Sequence, residues 1–122
     1  ISDTEAEVTG YESDLDENIT IPEKTQIGLD IYKVTSIGSY AFEGCSSLTS
    51  IKIPEGVTSI GGSAFEGCEN LAGIKIPKGV TSIGYAAFEG CNNLEIVIDN
   101  SENNVKVGEL AFEGCKSVKW LK

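Results

Sequence analysis

The chain of 122 residues contains no histidine, no arginine and no methionine. Histidine is the commonest metal ligand and the commonest general base, so its absence argues against an enzyme. The sequence also contains no recognisable nucleophile–base set, phosphate-binding loop or metal-ligand spacing. We therefore expect no catalytic site, no metal centre and no cofactor.

Positive charge is scarce as well. Nine lysines face 19 Asp and Glu residues, which gives a formal net charge of −10. A strongly negative molecule repels phosphate backbones and anionic lipids, so nucleic acid and membrane surfaces are poor partners. No apolar run approaches the roughly 20 residues that span a bilayer. Residues 1–7 are polar and acidic and lack the pattern of a secretory signal, which fits either a cytoplasmic chain or a processed piece of a secreted precursor.

The dominant feature of the sequence is an internal repeat. Ala-Phe-Glu-Gly-Cys occurs at 41–45, 64–68, 87–91 and 111–115, with periods of 23, 23 and 24 residues. The blocks 34–56 and 57–79 agree at 16 of 23 positions, which excludes coincidence. In the third block the segment 94–99 is one residue short, and two extra residues within 100–104 restore the phase.

Each block reads as one structural unit. Leu-x-x-Ile-Lys-Ile has the alternation of a half-buried strand, and Pro54 and Pro77 end it. Val-Thr-Ser-Ile is a second short extended piece, and we expect Ala-Phe-Glu-Gly to form a helical turn closed by glycine. One such block buries too little apolar surface to fold alone, so the coils must stack in register. We predict that the four phenylalanines form one interior file: Phe42, Phe65, Phe88 and Phe112.

The sequence thus predicts a solenoid in which a short parallel sheet of 23-residue coils has helical turns opposite. Residues 1–33 form a β-rich N-terminal cap. The coils span 34–56, 57–79, 80–103 and 104–122, and the last one is incomplete.

Leu-x-x-Ile-x-Ile-Pro followed by Val-Thr-Ser-Ile-Gly-x-x-Ala-Phe-Glu-Gly-Cys closely resembles the BspA-like leucine-rich repeat. The resemblance covers residues 34–122 and extends to Ile19-Thr20-Ile21-Pro22. It implies a leucine-rich-repeat solenoid from a bacterial surface or secreted protein. Members of that family are implicated in adhesion to extracellular-matrix proteins and in coaggregation.

The four cysteines, Cys45, Cys68, Cys91 and Cys115, occupy one phase of successive coils. Equivalent positions in a stack point in parallel, which suits packed, reduced thiols better than the crossed geometry of a disulfide. Disulfides and a metal site are the less favoured alternatives, and there is no Cys-x-x-Cys pair to support zinc.

Two acidic patterns are weaker candidates. Asp14-x-Asp16-x-Asn18 copies the opening of a calcium-binding loop. Such a loop has glycine at the position of Ile19 and a bidentate Glu at the position of Thr25, so this sequence lacks both residues. An acidic hairpin loop is the favoured interpretation. The glutamates that precede the repeated Gly-Cys also share a phase, and a solvated outer stripe explains them better than a cation site: Glu43, Glu66, Glu89 and Glu113.

The residues that vary at outward positions are the candidates for partner binding. Lys52 and Lys75 form a short basic ladder that suits a carboxylate or sulfated partner, and Val97 is expected to follow them. Tyr40 and Tyr85 precede the repeated Ala-Phe and are exposed aromatic candidates. Trp120 is assigned to the phase of Ser50 and Gly73, where it is expected to cover the open end of the stack or to stay exposed.

Taken together, the sequence predicts a non-catalytic protein-interaction or adhesion module at the cell surface or secreted. Its partner is expected to be a protein or a glycan, and self-association through the open C-terminal coil is a further possibility. The alternative function is a carbohydrate-binding or targeting module attached to a larger extracellular enzyme.

Overall fold

The computed structural model describes residues 5–8, 18–21, 23–27 and 30–122. The described residues form eleven strands: β1 (Glu5–Val8), β2 (Asn18–Thr20), β3 (Lys24–Ile27), β4 (Asp30–Ile37), β5 (Ser50–Lys52), β6 (Ser59–Ile60), β7 (Gly73–Ile76), β8 (Ser82–Ile83), β9 (Glu95–Ile98), β10 (Lys106–Val107) and β11 (Ser117–Trp120). A short 3-10 helix spans Glu102–Asn104.

The chain winds between two sheets, and each coil gives one strand to each sheet. The first sheet has the order β1-β4-β6-β8-β10, and β3 adds to β4. The second sheet has the order β2-β5-β7-β9-β11. Every pairing is parallel except the β3–β4 hairpin, which is antiparallel. The predicted solenoid is thereby confirmed, and the N-terminal strands β1 and β2 extend both sheets.

Like residues lie over like residues from coil to coil. Ile37 pairs with Ile60, and Ile60 pairs with Ile83. In the second sheet Gly73 pairs with Glu95, which confirms that the third coil is one residue short just before β9. The 3-10 helix lies in the stretch where the two extra residues were located. Register survives both changes because they fall outside the paired strands.

The prediction that Ala-Phe-Glu-Gly forms a helical turn is wrong. In the second coil the N–H of Ala64 donates to the carbonyl of Gly61 at 3.3 Å, and that of Cys68 donates to Phe65 at 3.2 Å, which are β-turn bonds. The intervening N–H of Phe65 instead donates to Ala87 of the next coil at 2.7 Å. A helix needs every N–H for bonds within its own segment. Here alternate N–H groups bond the coils together, and the positive φ of 54° at Ser63 interrupts the helical path.

The core consists of aligned side-chain files. The phenylalanine rings form the predicted interior file, with centroid distances of 5.3, 5.2 and 6.2 Å between successive coils. Leucines and isoleucines form further files and are fully buried in the middle coils: Leu71, Leu94, Ile60, Ile83, Ile76 and Ile98. Because each file passes through every coil, neighbouring coils share one core.

Glycines form a file in which successive backbones touch. A Cβ built on Gly84 lies 2.5 Å from the backbone nitrogen of Gly62 in the preceding coil. Cβ atoms on Gly61 and Gly108 meet the preceding coil at the same distance. No side chain fits there, since the contacted atoms belong to the backbone and cannot swing away. The glycines that follow β6, β8 and β10 therefore set how closely the coils approach.

Candidate functional site

The outer face of the second sheet is a regular exposed surface. Strands β5, β7 and β9 alternate between exposed and buried residues, because successive side chains of a strand point to opposite faces. The isoleucines at the centre of these strands point inward and are buried. Two columns of side chains point outward, as the strand register shows. The first column consists of Thr20, Lys52, Lys75, Val97 and Lys119. The second column consists of Ser50, Gly73, Glu95 and Ser117.

The first of these columns carries three lysines. Lys52 and Lys75 stand on neighbouring strands, so their backbones are about 4.8 Å apart, and Val97 follows them half-buried, at the predicted position. Lys119 then pairs with Val97 and is exposed. We call Lys52, Lys75 and Lys119 the lysine column.

Lys119 was not among the residues predicted from sequence. The signal was present, because Val118-Lys119-Trp120 repeats the alternation of Ile96-Val97-Ile98 once the short third coil is taken as the template. Aligning the last coil to the longer first and second coils instead shifts it by one residue.

The same shift corrects the placement of Trp120. Trp120 pairs with Ile98, which pairs with Ile76, so it occupies an inward phase rather than that of Ser50 and Gly73. Its indole meets the ring of Phe112 edge to face, with a centroid distance of 6.5 Å. The side chain is half-buried and packs against the core at the last coil. Trp120 therefore lies away from the lysine column.

Asp99 follows β9 at the rim of the second sheet, where it lies among lysines. Asp99 accepts a salt bridge from Lys122, with an Nζ–Oδ1 distance of 3.0 Å. The hydrogen bond from Lys122 holds the pKa of Asp99 below its ordinary value, and the positive charges of Lys122, Lys75 and Lys78 lower it further. Several lysines thus lower the pKa of this carboxylate, although the chain as a whole has a negative net charge.

Comparison with known proteins identifies the repeat. A sequence profile of the BspA type leucine rich repeat region matches residues 17–122 in six copies. The chain belongs to this family. No curated protein sequence matches the chain closely enough to be a relative.

Solved structures of leucine-rich repeat proteins share this architecture. A leucine-rich repeat protein from Bacteroides ovatus is 36% identical, with a TM-score of 0.75, over 84% of this chain and 29% of its own. A leucine rich cell surface protein from Faecalibacterium prausnitzii is 27% identical, with a TM-score of 0.79, over 98% of this chain and 39% of its own. A leucine-rich repeat protein from Bacteroides capillosus is 27% identical, with a TM-score of 0.85, over 98% of this chain and 89% of its own. The chain thus spans less than half of the first two relatives.

The cysteines of the BspA-type coils are packed thiols. All four are free, and Cys45, Cys68 and Cys91 are buried. The thiols of Cys68, Cys91 and Cys115 donate to the carbonyl of the phenylalanine one coil earlier, at S···O distances of 3.1, 3.0 and 3.3 Å. Hydrogen bonding to Cys68 and burial raise the pKa of Cys91, and burial raises the pKa of Cys115 to about 11. Such thiols are poor nucleophiles near neutral pH.

The two tyrosines lie apart from the lysine column. Tyr40 and Tyr85 belong to the turns that follow the first-sheet strands, and 63% and 57% of their surfaces are exposed. Tyr40 has a φ of 63°, and the equivalent residues Ser63, Ala86 and Leu110 of the other BspA-type coils are also left-handed. The turn, rather than the tyrosine itself, imposes this conformation.

The acidic residues considered as cation-site candidates differ in how they are placed. Asp14 and Asp16 lie outside the described residues. Glu43 and Glu113 are exposed, whereas Glu66 and Glu89 are half-buried in the middle BspA-type coils. Among the described residues, no group of three or more His, Cys, Asp or Glu side chains is placed to hold a metal ion. No helix of this part of the chain is both long and apolar enough to cross a membrane.

Proposed function

We propose that this chain is a non-catalytic protein-interaction module that binds an acidic partner through the outer face of the second sheet. The family consists of leucine-rich repeats, whose members generally serve as interaction surfaces without catalysis. The observation that carries the proposal is the lysine column. Three of the nine lysines of a chain with net charge −10 share one exposed column of one sheet.

The electrostatics of the column support an anionic partner. Lys52 and Lys75 stand on neighbouring strands about 4.8 Å apart, and two like charges at that separation repel each other by roughly 1 kcal/mol in water. A carboxylate-bearing partner relieves this repulsion and gains charge-assisted hydrogen bonds. The acidic remainder of the molecule disfavours other docking orientations, so the column gives the encounter a preferred direction.

We also propose that the module acts in adhesion at the cell surface or after secretion. The Faecalibacterium prausnitzii relative is described as a cell surface protein, which supports this location. Rigid, repeated coils suit a surface role because outward positions vary while the interior files hold the fold. Self-association through the C-terminal coil stays a prediction.

Replacement of the lysine column tests the proposal. Lys52→Glu combined with Lys75→Glu should weaken binding to a matrix-protein partner by about tenfold or more, since two attractions become repulsions. The measurement is biolayer interferometry against a panel of immobilised extracellular-matrix proteins at two salt concentrations. Binding by the unchanged chain should fall as salt rises.

The matched control is Lys106→Glu combined with Lys116→Glu. These lysines are also exposed but lie on the edge of the first sheet and in the turn before β11, so the change in net charge is the same. The control should retain binding within about threefold. Equal losses in both variants would show that net charge alone governs binding, and the lysine column would be abandoned.

The alternative function, a carbohydrate-binding or targeting module, is favoured by the two exposed tyrosines. Aromatic side chains supply large, rigid contact area at binding surfaces. A glycan panel probed with the unchanged chain and with Tyr40→Ala combined with Tyr85→Ala distinguishes the two functions. Glycan binding that depends on the tyrosines and survives Lys52→Glu plus Lys75→Glu would favour the alternative.

A further inference from the structure

A pair of lysines lies on the β3–β4 hairpin, just before the first 23-residue coil. The antiparallel register places Lys24 directly opposite Lys33, and both side chains are exposed. Like charges at directly opposed positions destabilise a strand pair. Among the described residues, neither ammonium lies within 4.0 Å of a carboxylate. The hairpin therefore holds two adjacent positive charges without an ionic partner in this part of the chain.

A cleft opens beside this pair. It has a volume of about 250 Å³ and is lined by Glu23, Lys24, Lys33, Glu55 and Gly56. A Cβ on Gly56 would lie only 2.7 Å from the Cε atom of Lys33. Because Gly56 has no side chain, the stem of Lys33 lies across its backbone within the cleft.

The cleft continues toward the lysine column. A second cleft of about 320 Å³ includes Glu23, Lys52 and Glu55 in its lining, and a third of about 210 Å³ includes Lys52, Glu55 and Lys75. Glu55 lines all three. We call the three clefts together the hairpin groove, which leads from the Lys24–Lys33 pair to Lys52 and Lys75.

We propose that the hairpin groove binds an extended acidic segment of a protein partner, whose carboxylates meet Lys24 and Lys33 before the segment crosses to the lysine column. This inference rests on the proposed function and deepens it. Four lysines supply partners for carboxylates at both ends of the groove. Glu23 and Glu55 accept hydrogen bonds, so they suit a peptide with backbone N–H donors. The same two carboxylates repel any anion, but they repel a uniformly charged sulfated polysaccharide more than a segment whose carboxylates are spaced apart.

The test uses a fluorescein-labelled peptide of alternating glutamate and serine, measured by fluorescence polarisation at low salt. Lys24→Gln combined with Lys33→Gln should weaken peptide binding by about tenfold. Lys106→Gln combined with Lys116→Gln removes the same charge elsewhere and should bind like the unchanged chain. No binding by the unchanged chain would overturn the inference.

A second variant tests the shape of the groove without changing its charge. Gly56→Ala places a methyl group where the Lys33 stem lies, and the flexible stem can move aside, so folding should persist. Peptide binding should fall by about threefold because the ammonium is displaced. Gly62→Ala is the control, because its Cβ would meet a backbone oxygen at 3.3 Å, as that of Gly56 also does, but it lies in a first-sheet turn away from the groove. Circular dichroism should show the same fold in both variants.

The outcomes separate this inference from the proposed function. If Lys24→Gln plus Lys33→Gln and Gly56→Ala bind normally while Lys52→Glu plus Lys75→Glu loses binding, the hairpin groove is wrong and the lysine column stands. If none of these three variants weakens binding, both the hairpin groove and the lysine column are wrong. Dextran sulfate that binds more tightly than the peptide, with the same dependence on Lys24 and Lys33, would overturn the assignment to an acidic peptide.

Discussion

At the scale of single residues, the cysteines behave as hydrogen-bonding core residues. Each thiol from Cys68 onward donates to a phenylalanine carbonyl of the preceding coil, so the side chain both fills space and bonds two coils. For Cys91 and Cys115, whose pKa values are raised, ionisation would place an anion against a carbonyl oxygen. The fold thus depends on the protonated thiol.

The raised pKa of a partly buried thiol predicts that the protein loses stability at alkaline pH. Burial raises the pKa of Cys115 from an ordinary 9.0 to about 11, so the unfolded chain loses this proton first. The stabilisation is fully present below the unfolded pKa and is lost as pH rises toward the folded pKa. Because Cys115 is only half-buried, we expect a loss on the order of 1 kcal/mol.

Urea unfolding as a function of pH measures this effect. Cys115→Ser keeps a hydroxyl donor that does not titrate in this range, so its free energy of unfolding should fall less than that of the unchanged chain between pH 9 and 11. The comparison cancels the titration of the lysines and tyrosines, which both chains share. Parallel curves for the two chains would contradict the assignment.

At the scale of elements, the spacing between coils depends on the glycine file rather than on the strands alone. The first-sheet strands of the middle coils are only two residues long. Close backbone contact at Gly61, Gly84 and Gly108 extends the register beyond these short strands into the turns. Any side chain at these positions separates the coils and breaks the hydrogen bonds between them.

Gly84→Ala is therefore expected to destabilise the protein strongly. The new methyl group meets the backbone of the preceding coil, and the free energy of unfolding should fall by about 3 kcal/mol or more, as in overpacked cores. Gly73→Ala is the matched change at an open position and should alter stability by less than about 1 kcal/mol. Urea midpoints at neutral pH provide the measurement, and similar losses in the two variants would refute the role of the file.

At the scale of the whole molecule, the solenoid is a stack of interchangeable coils. Stability in such a stack is approximately the sum of coil terms and nearest-neighbour terms. The first and second coils carry identical apolar inward residues, so either of them presents the same apolar files to the third coil. Whole coils are therefore expected to be removable, whereas partial coils are not.

Deletion of residues 57–79 tests this expectation. The deletion joins Gly56 to Val80 and keeps every remaining coil in phase, so the shortened chain should fold with the same circular dichroism shape. Its urea m-value should fall roughly in proportion to the surface that the lost coil buried. Deletion of residues 57–67, about half a coil, should prevent cooperative unfolding because strands then lie against turns. Equal behaviour of the two deletions would contradict the stacked-coil description.

The sequence by itself determined the coil period and the inward files. Phe42 to Phe112, the cysteines and the isoleucines recur at fixed intervals, and recurrence at equal spacing dictates that they stack. Lys52, Lys75 and Val97 were also placed correctly on the outer face, since alternation along a strand is a local property. These features follow from the order of residues within one coil.

The tertiary structure decided what depends on contacts between distant residues. Ala-Phe-Glu-Gly became a series of β-turns because its alternate N–H groups find acceptors in the next coil, which local propensity does not reveal. Trp120 lies at an inward position instead of the phase of Ser50 and Gly73, and Lys119 takes the outward position beside Val97, since register follows pairing with β9 and not residue counting. The hairpin groove brings Lys24 and Lys33 beside Glu55 and Gly56 through the antiparallel β3–β4 register, which the other coils do not share. A repeated sequence specifies its own period, but only folding specifies which non-repeating residues its coils bring together.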